Sequence, residues 1–195
     1  MGKVGKSGVT DSTPKNIMFG AGTIHKNLTF DASSKKWNFD ESILGATQGG
    51  SKISIKPEFT DIDVDGALVP VKGLKVKTGE TATMEFNFLE VTQDILKMAL
   101  VGTDGESVDE AYNVIESTAF ITEGNYLDNV AFVGQTLDGR NIIVIMDNAL
   151  CTSGFESNGK NKEAGVFTCT FECHADLSSD MDTLPYHIYF PKATA

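Results

Sequence analysis

Apolar and polar residues alternate with a period of two over much of this chain, the pattern of strands with one covered face. The clearest case is Thr81-Ala82-Thr83-Met84-Glu85-Phe86-Asn87-Phe88, which puts Met84, Phe86 and Phe88 on one side. The same reading predicts strands at Ile17 to Ile24, at 51 to 65, at Val69 to Lys77 and at Thr81 to Glu90. It predicts more at Ser117 to Thr122, Asn129 to Thr136, Asn141 to Thr152, Gly165 to Asp176 and Tyr186 to Phe190. Gly20 and Gly22 loosen the first of these. Leu137-Asp138-Gly139-Arg140 reads as a hairpin turn. Helical spacing is firm in one place only. Thr92 is a good N-cap, Asp94 suits the first turn, and Ile95, Met98 and Ala99 share a face before Gly102 stops the run. Val108 to Ile115 is a weaker helical stretch.

Residues 25 to 50 fit neither period. They are polar and glycine-containing, with Trp37, Phe39, Ile43 and Leu44 embedded. A segment of this length is either a docking element for a neighbouring molecule or an irregular hairpin folded back on its own core. The elements together predict a mainly β protein: a single-domain β-sandwich or partly open barrel, with one flanking helix at about residues 92–101 and extended loops. Residues 1–15 read as a flexible polar arm and residues 16–195 as one domain, without internal repeat or linker.

The stretch Asp61-Ile62-Asp63-Val64-Asp65-Gly66 opens like a calcium-binding EF-hand loop. That loop needs a bidentate glutamate at its twelfth position, and Lys72 stands there. Pro57 and the alternating Ile53-Ser54-Ile55 upstream argue against an entering helix. The stretch reads instead as a strand with Asp61, Asp63 and Asp65 on one face, closed by an Asp-Gly turn.

Composition narrows the function classes. The 195 residues carry a formal net charge of −11, and Arg140 is the sole arginine among sixteen basic residues. That balance disfavours a tight nucleic-acid binder, which needs cations for phosphates and arginines for guanine. The longest apolar run, Ile142 to Met146, is strand-sized, so no membrane span is expected. The first fifteen residues have charge but no apolar core and do not read as a secretory signal, so the Asn27-Leu28-Thr29 glycosylation pattern is idle. Cys151, Cys169 and Cys173 are an odd set, expected as free thiols in a reducing compartment.

Residue chemistry points to no catalytic, cofactor or metal site. Gly5-Lys6-Ser7 lacks the first glycine and the launching strand of a phosphate loop, and Gly20-Ala21-Gly22 is followed by His25 where a dinucleotide loop has glycine. Cys169 and Cys173 share a strand face about 13 Å apart, too far for one metal or disulfide, while His174 points the other way. His25, His174 and His187 have no ligand spacing.

Three stretches carry a family resemblance. They are Met18-Phe19-Gly20-Ala21-Gly22-Thr23-Ile24-His25-Lys26-Asn27-Leu28, Ile43-Leu44-Gly45-Ala46-Thr47-Gln48-Gly49-Gly50, and the run from Glu58 through Asp63-Val64-Asp65-Gly66 to Val71-Lys72-Gly73. The last continues into Glu85 to Leu100 through Phe88-Leu89-Glu90-Val91-Thr92. In this order they resemble the tail tube (major tail) proteins of long-tailed bacteriophages over roughly the first hundred residues. The resemblance implies a β-sandwich subunit that forms homo-hexameric rings, stacked into a tube through which DNA passes without tight binding. It implies a tail tip initiator, a tape measure protein and a tail terminator as partners, assembly in the host cytoplasm and a place in the virion. Trp37, Phe39, Ile43 and Leu44 are then candidates for an inter-subunit loop, and Asp61, Asp63 and Asp65 for an acidic assembly surface. The alternative is a carbohydrate or cell-surface binding module using Trp37, Tyr112, Tyr126 and Tyr189.

Overall fold

The computed structural model describes residues 8–159, 161–178 and 181–192. The arm expected at residues 1–15 therefore lies partly outside the described residues, as does Gly5-Lys6-Ser7. In chain order the elements are α1 (Thr13–Asn16), β1 (Met18–Lys26), β2 (Phe30–Asp31), β3 (Lys36–Trp37), α2 (Phe39–Ser42), β4 (Thr47–Asp61) and β5 (Lys75–Phe88). Then come α3 (Gln93–Leu100), β6 (Thr103–Gly105), β7 (Val114–Glu116), a 3-10 turn (Glu123–Asn125), β8 (Leu127–Thr136), β9 (Asn141–Cys151), β10 (Phe167–Cys173) and β11 (Tyr186–Tyr189).

Seven strands form one antiparallel sheet in the order β1-β8-β9-β10-β5-β4, with β11 beside β9. The sheet curls without closing, so its inner face meets itself across the core. Ile24 of β1, Val130 and Phe132 of β8, and Val144 and Met146 of β9 share one cluster with Met84, Phe86 and Phe88 of β5 and Phe167, Cys169 and Phe171 of β10. Burial alternates strictly along β10 and the second half of β5, as the sequence period requires. β8 and β9 break that rule because both their faces are covered. Ala131, Val133, Ile143 and Ile145 pack outward against Leu28, Trp37 and Phe39. Helix α3 covers the core with Ile95 and Ala99. Thr92 caps it, its hydroxyl accepting the Ile95 N–H at 3.2 Å.

Three parts of the chain differ from the sequence expectation. The strands expected at Val69 to Lys77 and Thr81 to Glu90 are one strand, β5, and residues 69–74 belong to the preceding loop. Thr78-Gly79, which looks like a break, is a bulge: Glu58 faces Gly79 while Phe59 faces Lys77. Val108 to Ile115 forms no helix, because Val108 and Tyr112 are exposed and the segment ends in β7, paired with β6. Ser117 to Thr122 forms no strand and leads instead into the 3-10 turn. The α3 stop is also built differently. Val101, not Gly102, takes the left-handed conformation (φ 50°). Gly102 is required by proximity, since a Cβ there would lie 2.7 Å from Ile115 Cγ2.

Candidate assembly surface

β4 is a fifteen-residue strand at one edge of the sheet. Its first half and its partner β5 lie over the core. Beyond the bulge the pair continues alone, through Phe59↔Lys77, Thr60↔Val76 and Asp61↔Lys75, into a loop at 62–74. Phe59, Ile62, Val64, Val71 and Val76 are exposed on this arm, and Leu68 at its tip is 98% exposed. Two strands without a third are marginally stable in water. The ion pair from Lys75 Nζ to Asp61 Oδ1 at 2.7 Å joins the strands but is too exposed to add much.

The acidic stretch changes in this setting. β4 ends at Asp61, so only Asp61 of the three aspartates is on a strand. The dyad of faces stops there: Asp63 and Asp65 lie in the loop, and Ile62 and Val64 are exposed beside them. Ile62 N–H still reaches the Leu74 carbonyl at 2.7 Å, and the turn at Asp65-Gly66 is present, with Ala67 N–H donating to the Val64 carbonyl at 3.0 Å. Asp61 thus stands at the root of the loop, and Asp63 and Asp65 lie within it before the exposed Leu68.

The other candidate loop splits. Trp37 and Phe39 pack on the outer face of β8 and β9, and Leu44 packs on the inner core. Ile43 is exposed at 54%. Residues 25 to 50 are thus a short β2–β3 hairpin and one helical turn, folded largely onto their own sheet. Trp37 also meets two further aromatic rings, Phe30 at 5.2 Å and Tyr189 at 5.0 Å. Tyr126 meets His174 edge-on elsewhere, and Tyr112 is exposed on another loop.

The sheet's second edge is of a different kind. β1 carries two extra residues between Phe19 and Thr23, opposite Gln135 and Val133. Gly22 sits in that bulge with φ +70°, and a Cβ there would lie 2.3 Å from the Phe132 ring. The far end of β1 is occupied: Leu44 N–H donates to the Ile24 carbonyl at 2.8 Å, and His25 bridges Ile43. A bulge and a covering segment are the usual guards of an edge strand. β4 is bulged as well, with two extra residues between Thr47 and Ser51 opposite Phe88 and Phe86, but among the described residues no strand pairs with its outer edge.

Two polar clusters resemble catalytic sets, and neither has the chemistry. Ser42 Oγ lies 2.8 Å from His25 Nδ1, but it donates its proton to the Asn38 carbonyl at 2.8 Å, and Thr23, not an acid, stands behind the ring. His187 Nε2 lies 3.3 Å from Asp147 Oδ2. Burial raises the Asp147 carboxyl and the His187 charge lowers it. The nearby Cys173 thiol donates to the Asp147 carbonyl at 3.3 Å, and burial with the Asp147 charge pushes it up to about 12. It is no thiolate at neutral pH. Cys151 and Cys169 meet across β9 and β10, a contact the sequence spacing did not suggest; hydrogen bonding to Cys151 and burial both push the Cys169 thiol up. Among the described residues no three His, Cys, Asp or Glu are grouped to hold a metal ion, and no helix is long and apolar enough to cross a membrane.

The lone Arg140 has a structural post. It pairs with Asp138 through Nε at 2.7 Å, donates from Nη2 to the Lys15 carbonyl at 2.8 Å, and from Nη1 to the Lys192 carbonyl at 3.2 Å.

No family model matches the chain, and no curated protein matches it. Among solved structures it is similar to a chain in the tail of an empty gene transfer agent particle, determined by helical refinement with C6 symmetry. The identity is 11%, over 80% of this chain and 92% of that one, at a TM-score of 0.43. It is similar to a chain in the virion of a native gene transfer agent particle at 12% identity, with the same coverage and TM-score.

Proposed function

We propose that this chain is a structural subunit of a phage-type tail tube, assembling with copies of itself into stacked hexameric rings around a conduit for DNA. The observation that carries this is the β4–β5 arm. It exposes both faces and an apolar tip that the monomer does not cover, beside an edge strand with free backbone groups. Apolar surface of this kind on a monomer marks an interaction site, and an edge strand offers a template for another strand. The resemblance of residues 18 to 100 to tail tube proteins supplies the occupant: a second copy of the chain. A contact that joins the β4 edge of one copy to a different surface of the next is heterologous, and heterologous contacts close rings or extend filaments. A net charge of −11 suits a channel that must not hold DNA. Within this reading Ile43 is the exposed one of the four loop candidates and touches a neighbour, and Asp61, Asp63 and Asp65 set the polarity around the arm. Residues 16–195 then act as one assembling domain with the preceding arm as a tether. The tip initiator, tape measure and terminator follow as partners from the resemblance, with assembly in the host cytoplasm.

Electron microscopy of purified protein, alone and with a tail tip initiator, tests this. Rings or tubes are expected. A protein that stays monomeric at high concentration with its initiator present overturns it.

One observation favours a second reading. Phe30, Trp37 and Tyr189 form a half-exposed aromatic group of the kind that stacks on sugar rings. A carbohydrate-binding module predicts glycan-array signals that Tyr189→Ala removes; an array without signals disposes of it.

A further inference from the structure

Apolar side chains stand uncovered on a second part of the subunit, the lobe of residues 103–126. Val108 is fully exposed, Phe120 is 80% exposed, and Tyr112 and Ile121 are exposed beside them in the chain. A cleft of about 250 Å³ opens there, lined by Gln93, Asp104, Ser107, Tyr112 and Asn113. The charge around these residues has one sign. No basic residue stands between Lys97 and Arg140, whereas the lobe carries Asp104, Glu106, Asp109, Glu110, Glu116 and Glu123. All six are exposed, and among the described residues only Asp104 is in an ion pair, with Lys97 at 2.7 Å. Exposed apolar residues among charges of one sign suit a partner that is apolar and of the opposite sign.

The strand registers place the lobe at one end of the sheet. Phe88 of β5, Phe167 of β10, Cys151 of β9 and Leu127 of β8 lie at that end, and Lys75, Asn141, Thr136 and Met18 lie at the other. Residues 89–126 leave β5 and enter β8 at the first end. Asp94 of α3 pairs there with Lys26, the last residue of β1. Gln93 donates to Asp104 at 3.0 Å and accepts from Asn113 at 2.8 Å, which ties the lobe to the same helix. The N-terminal segment starts from the opposite end. Arg140 holds the Lys15 carbonyl beside the β8–β9 turn, and bonds between Thr10 and Thr13 keep Thr10 close by.

Residues 1–9 read Met-Gly-Lys-Val-Gly-Lys-Ser-Gly-Val, with Lys3 and Lys6 and no acid. Residues 1–7 of this stretch lie outside the described part of the chain. Between Thr10 and Lys3 the chain spans at most about 25 Å. β8 alone runs for about 30 Å between the turn and the lobe. Both lysines therefore fall short of the lobe of their own chain, and a copy placed end to end brings them to it.

We propose that the 103–126 lobe is the docking site for residues 1–9 of a second copy, with Lys3 and Lys6 against its acids and Val4 and Val9 against its exposed apolar residues. The contact joins one end of a subunit to the opposite end of the next, so it is heterologous and repeats along an axis. This rests on the reading that copies of the chain assemble, and it names the surface that receives the segment.

The test titrates a fluorescent peptide of residues 1–9 into the full-length monomer, with backbone amides followed by NMR. Saturable binding that shifts the Val108, Tyr112 and Phe120 amides is expected. Reversing Glu106, Asp109 and Glu110 to lysine together is expected to weaken binding at least about tenfold, and so is raising salt from about 0.05 to about 0.5 M, which screens exposed charges. Equal binding of a scrambled peptide, or shifts confined to other surfaces, overturns the docking site. In the full-length chain Lys3→Glu with Lys6→Glu is expected to block tubes in micrographs, and adding the three lobe reversals is expected to restore them. Tubes that persist in the Lys3→Glu, Lys6→Glu chain overturn the contact and leave the tube reading in place. Where the wild type forms no tubes, peptide binding at the lobe keeps the contact and removes the tube; absence of binding removes both.

Discussion

The two halves of β5 are one continuous strand with opposite fates. From Ala82 to Phe88 every second side chain is buried; from Lys75 to Thr78 none is. Both halves pair antiparallel with β4, with one register shift in each, between Thr47 and Ser51 and between Glu58 and Phe59. Backbone pairing is thus equal, and the difference lies in what stands behind the side chains. One half has α3, β10 and the far wall of the sheet. The other has solvent. Hydrogen-bonded strands do not stabilise themselves; a third layer does.

Four experiments would break or sharpen that contrast. The largest effect belongs to Phe86→Ala. It removes a fully buried ring that meets Phe88 and Phe171. A loss of about 3–5 kcal/mol is expected in chemical denaturation, and a loss under 1 kcal/mol would mean the core is not packed as described. Next, amide exchange along β5 should divide at the bulge. Amides of Val76 and Lys77 are expected to exchange on the order of a hundredfold faster than those of Met84 and Phe86, through local opening. Uniform protection in the monomer would show that the arm needs no partner. Third, Leu68→Asp is expected to shift monomer stability by no more than about 0.5 kcal/mol, yet to abolish ring or tube formation in micrographs. Retained assembly would remove the arm from the interface. Smallest is Asp61→Asn, which breaks an exposed ion pair worth a few tenths of a kcal/mol; a shift above 1 kcal/mol would show a pair more rigid than its exposure allows.

The same contrast explains what could be read from the chain. Thr81 to Phe88 was legible because one face is buried and the other is not, so burial imprints a period of two. The apolar run Ile142 to Met146 was legible as a strand, but its double coverage was not, since covering both faces erases the alternation. The arm was misjudged as two strands because Thr78-Gly79 carries the composition of a turn, and a bulge has the same composition. The helix expected at 108 to 115 failed for the opposite reason. Val108 and Tyr112 suit one helical face, but nothing packs there, and periodicity without a surface to cover does not make a helix.

The apolar character of the 25 to 50 segment was legible, but not where its residues pack. Trp37, Phe39, Ile43 and Leu44 stood out as apolar residues on a long loop, and three of them prove to be needed by the subunit's own sheet. Leu68 and Val69 raised no flag, because two apolar residues near a Pro-Val pair look like one more strand. Their exposure comes from the length of β4, a property of the pairing partner and not of the local sequence. His25 gave no chemical signal either: Thr23 is two residues away on β1, but Ser42 reaches the ring only when the chain folds back along that strand.

Arg140 ties the first and last described segments to one hairpin, and it uses three separate nitrogens to do so. A lysine, with one ammonium, could not hold all three. Lys15 and Lys192 are therefore held at one place, beside the turn between β8 and β9. A substitution at that one side chain would loosen two stretches of chain far apart in sequence at once, although neither belongs to the hairpin that carries it.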